Sequence, residues 1–410
     1  MQTISILGST GSIGTSTIDV IARHPEQYQV YALTANRDYQ KLLSQAQAVN
    51  ATHVVLSDVS VMADARDYAV TIGCTAQLHF GATALETVVQ ADEVNTVMAA
   101  IVGAAGLLPT LAAVEAGKRV LLANKEVLVM SGQLFIESAN RNNATILPID
   151  SEHNAIFQCL PHDFTYGELA DSGISKVLLT GSGGPFLEYD ITAFADITPA
   201  QACAHPNWDM GQKISVDSAT MMNKGLEFIE ARWLFGLDNK DIEIVLHPQS
   251  TIHSMVQYVD GSVIAQMGEP DMRTPIAHAL AFPQRISSGV APLDFSQLRD
   301  FTFSTPCPER YPNLYLALAA AKRGQSACTT LNACNEIAVA AFLAGQIGFT
   351  QIAQLNSQIL SNHIDILLPS IPAVLACDDL ARQLARQYLQ EFLCCPSLWR
   401  QSTALFNWLW

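Results

Sequence analysis

The chain has 410 residues, too many for one ordinary core, so two or three domains are expected. Its residues are 49% hydrophobic and 15% charged, which describes a globular protein and excludes a disordered one. A formal net charge of −16 argues against non-specific binding to nucleic acid or an anionic membrane, while leaving room for a local basic pocket around a single phosphate.

The first stretch with chemical content is Gly8-Ser-Thr-Gly-Ser-Ile-Gly14. An apolar run precedes it and a helical pattern follows, the strand, glycine turn and helix order that a dinucleotide fingerprint requires. Glycines permit a tight turn and close approach of a pyrophosphate, and the helix N-terminus offers unpaired N–H groups. The spacing is G-x-x-G-x-x-G rather than the commoner G-x-G-x-x-G. From residue 1 to 150 the pattern alternates strand and helix, with strands expected at 3–7, 29–34, 53–56, 94–102, 119–123 and 145–149. This predicts βαβ units around a parallel sheet covered on both faces. Residues 97–114 carry no charge but are interrupted by Gly103, Gly106 and Pro109. They read as a buried strand, a turn and a small-residue helix, not a membrane span.

The end of the second strand carries Ala35-Asn36-Arg37-Asp38. Arg37 suits a ribose 2′-phosphate and so favours NADP over NAD, although Asp38 beside it works in the opposite direction. Asn124, Lys125 and Glu126 follow the fifth strand, at the carboxyl edge where open α/β sheets bind ligands; Asn124 also suits a helix cap. After the sixth strand, Asp150 and Glu152 are two residues apart and share a face if that segment is extended. Two such carboxylates suit Mg²⁺ or Mn²⁺.

Residues 151–285 have a different texture. Gly181-Ser182-Gly183-Gly184 ends a strand and can form an anion nest. The stretch from His205 to Gly211, with Trp208, has the mixture of apolar and polar groups that a closing loop needs. Ser218 reads as a helix cap, and Asn223 and Glu227 lie four apart on one helical face beside Lys224. Ser, Asn and Lys together suit a phosphate, and Glu227 can complete a three-carboxylate site with Asp150 and Glu152. His247 and His253 read as two residues on one strand face, with a structural role. Residues 286–312 are rich in proline and read as a linker, and 313–393 as a helical domain. Within it Leu380, Leu384, Tyr388 and Leu389 are expected on one face of a helix. The tail 394–410 holds Trp399, Trp408 and Trp410 and has no evident role.

Nine cysteines stand singly apart from Cys394-Cys395, with no C-x-x-C, which points to a reducing cytoplasm. The sequence opens directly on a strand, without a basic leader or cleavage signal.

These motifs resemble the 1-deoxy-D-xylulose 5-phosphate reductoisomerase family. The resemblance runs in order over roughly residues 1–390, through the glycine turn and Leu122-Ala-Asn-Lys-Glu126. It continues through Asp150-Ser-Glu-His-Asn154, Leu179-Thr-Gly-Ser-Gly-Gly-Pro-Phe186, His205-Pro-Asn-Trp208, Ile214 to Glu227, and Gly268 to His278. It implies an α/β chain with an N-terminal Rossmann-like domain (1–150) for NADPH. An α+β catalytic metal and substrate domain (151–285) follows, then the linker and the helical domain. It implies an oxidoreductase of the non-mevalonate isoprenoid pathway that converts 1-deoxy-D-xylulose 5-phosphate to 2-C-methyl-D-erythritol 4-phosphate. The route it implies is a metal-assisted retro-aldol/aldol rearrangement followed by hydride transfer, in a homodimer.

The resemblance further implies Asp150, Glu152 and Glu227 as metal ligands. It implies Ser182, Ser218, Asn223 and Lys224 as phosphate and hydroxyl contacts, Lys125 and Ser151 near the reacting carbons, and His205 and Trp208 in a lid. His205 joins Lys125 and the three carboxylates in the catalytic set. For NADPH it implies Gly8, Thr10, Gly11, Ser12, Ile13, Gly14, Asn36, Arg37, Asp38, Asn124, Glu126, Gly211 and Met272. Two rival readings are a semialdehyde or homoserine dehydrogenase, the former requiring an activated cysteine, and an NADP-sensing protein without catalysis. The carboxylate triad speaks against both.

Overall fold

The structure, a computed structural model, describes residues 1–394 apart from 162, 205–207, 209 and 299. The chain divides into two compact units: Met1–Val127, Phe135–Gln158 and Asp271–Asp294 form the first; Leu128–Leu134, Cys159–Pro270 and the chain from Phe295 onward form the second.

The first unit is a parallel α/β sheet. Its strands are β1 (Gln2–Leu7), β2 (Tyr28–Ala35), β3 (His53–Leu56), β4 (Gln77–Phe80), β5 (Thr96–Ala99), β6 (Arg119–Leu122) and β7 (Thr145–Pro148). They are joined through α1 (Ser12–Ala22), α2 (Tyr39–Ala48), α3 (Met62–Ile72), α4 (Ala82–Gln90), α5 (Leu107–Glu115) and α6 (Glu126–Arg141), and α7 (Ser151–Cys159) follows. The strand order is β4-β3-β2-β1-β5-β6-β7, with every pairing parallel. The order reverses between β1 and β5, so a crevice opens beyond their carboxyl ends, where such sheets bind ligands. The expected run 94–102 shortens to Thr96–Ala99 because the chain turns away at Gly103. Strand β4, Gln77-Leu-His-Phe80, was not expected; it is a half-buried edge strand without a continuous apolar run.

One constraint fixes the crevice. Gly8 ends β1 at φ +80, and a Cβ there would meet the Ala100 carbonyl oxygen at 2.7 Å. Thr34 on β2 holds the same turn, with its hydroxyl accepting from the Gly8 N–H at 2.9 Å and its carbonyl from the Ser9 N–H at 2.8 Å. Beneath the sheet Ile4, Ile6, Leu33, Val54, Met98 and Leu121 form the core, joined by Ile276, Ala277, Ala279 and Leu280. These last four come from a helix far along the chain.

The second unit begins with β8 (Ile174–Gly181), α8 (Pro199–Ala202), α9 (Gln212–Ala219) and α10 (Met222–Phe235). It continues through β9 (Ile242–Leu246), β10 (Ile252–Tyr258) and β11 (Val263–Met267). Helix α11 (Arg273–Ala281) returns to the first unit, and α12 (Pro312–Arg323), α13 (Gln325–Leu343), α14 (Phe349–Asn362) and α15 (Ile371–Cys394) complete the second. Its mixed sheet runs β11-β10-β8-β9, with β8 and β9 parallel and β10 antiparallel to both β8 and β11. Phe186, Phe194, Phe342 and Phe349 centre an aromatic core shared with α13, α14 and α15.

One expectation is corrected and another is refined here. On α15 the buried apolar positions are Val374, Cys377, Ala381, Ala385, Leu389 and Phe392, while Leu380 and Leu384 are exposed at 56% and 44%. Small alanines let the helix lie close in the core, so the apolar stripe is set by fit and not by residue size. His247 and His253 do not share a strand: His247 lies just past β9 and His253 within β10. His247 is buried and stacked on Phe303 with ring centroids 5.0 Å apart. No helix among the described residues is long and apolar enough to cross a membrane.

The crevice constraint yields a first prediction. Gly8→Ala should lower unfolding stability by ~1–3 kcal/mol, from left-handed strain and the clash with Ala100. Gly11→Ala should leave stability nearly unchanged, because Gly11 has φ −73 and meets nothing nearer than 3.5 Å. Paired thermal melts measure the difference, and equal melting points would show that the turn is not held by Gly8.

Candidate active site

At the crevice of the first unit, Gly11 opens α1 and no side chain caps the helix. The first-turn N–H groups of Ser12, Ile13 and Gly14 therefore face the end of β1 with the positive end of the helix dipole behind them. Thr10 precedes this turn, and its carbonyl accepts from the Lys41 ammonium at 2.7 Å. At the end of β2, Arg37 is exposed and pairs with Asp58 at 3.2 Å. Asp38 does not oppose Arg37: its carboxylate caps α2 by accepting from the Lys41 N–H at 3.1 Å. Asn36 accepts from the Ser57 hydroxyl at 3.0 Å. Met272 precedes α11 and packs on the first unit's core. Beside it Arg273 is bound by Asp271 at 2.6 Å and by Asp19 of α1 at 3.1 Å, which ties α11 to the glycine-turn helix.

Asn124 is buried, and its amide donates to the carbonyls of Ile101 and Gly103, the latter at 3.0 Å. Its oxygen accepts from the Val127 N–H at 3.1 Å, so it supports the start of α6 and the turn after β5 together. Glu126 is buried in the first turn of α6.

Lys125 and Asp150 form a nearly buried ion pair at 2.8 Å. Burial by itself would raise the Asp150 carboxyl, but the Lys125 ammonium and the neighbouring His153 hold it well below the usual carboxylate range. His153 lies 3.6 Å from Asp150, one helical turn on, a partner the sequence reading missed. The parity argument for Asp150 and Glu152 does not apply, because the segment is not extended. Helix α7 starts at Ser151, and the Asp150 carboxylate accepts from the Glu152 N–H at 3.4 Å. The Ser151 hydroxyl donates to the Glu152 carboxylate.

The second unit supplies a cluster of its own. Helices α9 and α10 are joined at Met221, which has φ 60. A left-handed methionine costs ~1–2 kcal/mol, and tight burial of Met221 holds it. Ser218 therefore lies within α9, not at a cap, and α10 carries Asn223, Lys224 and Glu227 on one face. Glu227 is buried and accepts from both the Asn223 amide and the Lys224 ammonium. Lys224 is also buried, and it crosses β8 where a Cβ on Gly181 would meet its Cε at 2.8 Å. Next to it the Ser182 hydroxyl accepts from the Gly184 N–H at 3.1 Å, and a Cβ on Gly184 would meet the Ser218 carbonyl oxygen at 2.8 Å. The glycine turn thus rests directly on the end of α9. Trp208 stands against His253 with centroids 6.0 Å apart, and Gly211 precedes α9, exposed. His205 lies outside the described residues.

Five of the cysteines are set against nucleophilic chemistry by their burial. Burial pushes the Cys159 thiol up to about 11 and the Cys328 thiol up to about 12, and it raises Cys334, Cys203 and Cys377 as well. Such thiols are poor nucleophiles.

Residues 4–132 match the family 1-deoxy-D-xylulose 5-phosphate reductoisomerase, residues 146–235 its C-terminal domain, and residues 267–384 the DXP reductoisomerase C-terminal domain. A 1-deoxy-D-xylulose 5-phosphate reductoisomerase of Shewanella sp. (strain MR-4) is 58% identical, over 95% of this chain and 100% of that protein. One of Pseudomonas putida is 55% identical, over 95% and 97%. Among solved structures, a DOX-P reductoisomerase in complex with NADPH, fosmidomycin and magnesium superposes with a TM-score of 0.91 at 46% identity, covering 96% of this chain and 100% of that one. The Zymomonas mobilis enzyme in complex with NADPH gives 0.87 at 45% identity, covering 95% and 99%. This chain belongs to the 1-deoxy-D-xylulose 5-phosphate reductoisomerase family.

Proposed function

We propose that this chain converts 1-deoxy-D-xylulose 5-phosphate to 2-C-methyl-D-erythritol 4-phosphate, using NADPH and a divalent cation, Mg²⁺ or Mn²⁺. The observation that carries this reading is identity of 58% to a reductoisomerase over that protein's whole length. The glycine turn at the strand-order reversal and the oxygen-only carboxylate set fit it.

The amides of Ser12 and Ile13 cradle the NADPH pyrophosphate, with Gly8, Thr10, Gly11 and Gly14 shaping the turn. Arg37, flanked by Asn36 and Asp38, meets the 2′-phosphate. Asn124, Glu126, Gly211 and Met272 complete the cofactor contacts, Asn124 chiefly by holding the turn after β5.

Asp150, Glu152 and Glu227 are the cation ligands in this reading. Hard carboxylate oxygens suit Mg²⁺, and Asp150 is kept ionised by Lys125. Bound there, the cation supplies Lewis acidity toward the substrate's ketone and neighbouring hydroxyl. Lys125 and Ser151 orient the substrate at its reacting carbons. Ser182, Ser218, Asn223 and Lys224 hold the phosphate remote from the chemistry, which keeps the fragments together while the carbon skeleton is cleaved and rejoined. NADPH then supplies hydride to the resulting aldehyde. Trp208 and His205 exclude water from the bound substrate.

The chain acts as a homodimer in this reading. Among the described residues strand β11 is a sheet edge, with Val263 47% and Ile264 48% exposed, and Val259 beside it 72% exposed. Pairing of two copies through such an edge covers its unpaired backbone groups. Cys74, Cys159, Cys203, Cys307, Cys328, Cys334 and Cys377 are free thiols, which a reducing cytoplasm would maintain.

The direct test follows NADPH oxidation by absorbance with 1-deoxy-D-xylulose 5-phosphate. Turnover should stop on chelation and return with Mg²⁺ or Mn²⁺, and Glu227→Gln should abolish it while leaving NADPH binding nearly unchanged. NADPH binding without turnover in the wild-type chain would favour a sensor. Arg37→Ser should raise KM for NADPH roughly tenfold and leave KM for NADH unchanged, the size of one charge-assisted phosphate contact; an equal effect on both cofactors would remove Arg37 from the 2′-phosphate site. Ile264→Asp should shift the chain from dimer to monomer in light scattering. An unchanged mass would place the interface elsewhere.

A further inference from the structure

A buried polar chain runs behind the phosphate cluster. Asp217, the residue before Ser218 on α9, is only 1% exposed. Its carboxylate accepts from the Asn335 amide of α13 at 2.7 Å and pairs with the Lys213 ammonium, one turn earlier on α9, at 2.9 Å. The Asn335 oxygen in turn accepts from the Asn356 amide of α14 at 3.1 Å, and Asn356 also donates to the Asn313 oxygen of α12 at 3.0 Å. Asn313, Asn335 and Asn356 are all 2% exposed or less.

A carboxylate placed this deep is costly unless its partners stay in place, so the network fixes α9 in one position relative to three helices. The Asp217 carbonyl also accepts from the Thr220 hydroxyl at 3.2 Å, which in turn accepts from the Met222 N–H at 3.4 Å. Asp217 therefore anchors both Ser218 and the left-handed turn that aims Asn223 and Lys224. The Ser218 carbonyl already lies where Gly184 can tolerate no Cβ. A shift of α9 by a few tenths of an ångström would alter the spacing between the Ser218 hydroxyl and the Ser182–Gly184 turn.

We propose that Asp217, gripped by Asn335 and Lys213, is a positioning residue for the phosphate subsite. It sets the register of α9 against the Gly183–Gly184 turn and touches no substrate itself. The inference rests on the reading of Ser218 as a phosphate contact.

The test uses the full chain with 1-deoxy-D-xylulose 5-phosphate, NADPH and Mg²⁺. Asn335→Ala should raise KM for the sugar phosphate about tenfold, change kcat by less than about twofold and leave KM for NADPH unchanged, the signature of lost ground-state binding. Ser218→Ala is measured alongside. The double variant should be no worse than the more impaired single one, because Asn335 acts through Ser218. Lys213→Met, whose side chain reaches solvent at 23%, removes the other grip with less risk to folding and should move the same KM in the same direction. A lowered melting temperature with unchanged KM in both variants would reduce the network to a structural anchor and overturn the proposal. Independent, multiplying effects of Asn335→Ala and Ser218→Ala would overturn it as well. If Ser218→Ala itself leaves KM for the sugar phosphate unchanged, the phosphate reading fails first, and the proposal with it.

Discussion

Buried charge governs both halves of this protein's chemistry. In the first unit the Lys125 ammonium meets Asp150 at 2.8 Å, and in the second Lys224 meets Glu227 with almost no exposure of either side chain. A carboxylate in such surroundings stays ionised only if a cation stands beside it. Each lysine therefore spares the folded chain an uncompensated negative group, and Lys125 also holds the Asp150 carboxyl well below the usual range. His153 beside Asp150 and Asn223 beside Glu227 add contacts to the same carboxylates. The glycine turns come second in this logic. They let backbone approach backbone, at Gly8 against Ala100 and at Gly184 against Ser218, so that the charged side chains are presented by rigid elements.

Much of this was legible in the sequence because its signals are local. The buried parallel strands announce themselves as short apolar runs, and the glycine turn stands at the end of the first of them. Asn223, Lys224 and Glu227 are three and four residues apart, so helical spacing alone brings them together. The reading failed where the local signal was ambiguous. Gln77-Leu-His-Phe80 alternates too weakly to announce an edge strand. Asp150 and Glu152 were paired by strand parity, although the helix begins between them at Ser151. On α15 the one face that spacing assigned to four larger residues is only partly buried: Leu389 packs in the core with Ala381 and Ala385, while Leu380 and Leu384 stay outside. Asn335 carried no signal at all. Its partner Asp217 lies 118 residues earlier, and a mid-helix asparagine among alanines has no spacing that points to an ion.

The second unit also shows how a helical region contributes to a site without lending it a reacting group. Helices α12, α13 and α14 hold no residue assigned to substrate, cofactor or cation. They supply three linked asparagines, of which Asn335 donates to the Asp217 carboxylate and Asn356 donates to the Asn335 and Asn313 oxygens, and an aromatic core packed beside them. Precision in such an arrangement comes from satisfied hydrogen bonds in a low-dielectric interior, where a misplaced donor costs more than it would in water.

The path of the chain through the two units sets an order on synthesis. Helix α11 contributes Ile276, Ala277, Ala279 and Leu280 to the core under the parallel sheet, yet it emerges only after the whole of the second unit's β-sheet has been made. A ribosome that has released the first 158 residues has delivered every strand of the parallel sheet but not the helix that seals one part of it. The nascent first unit therefore holds an apolar surface open through the synthesis of more than a hundred further residues, a window in which aggregation competes with folding. The same path means that cutting the gene between the units yields no self-sufficient N-terminal half, so the two must be inherited, recombined and engineered as one piece.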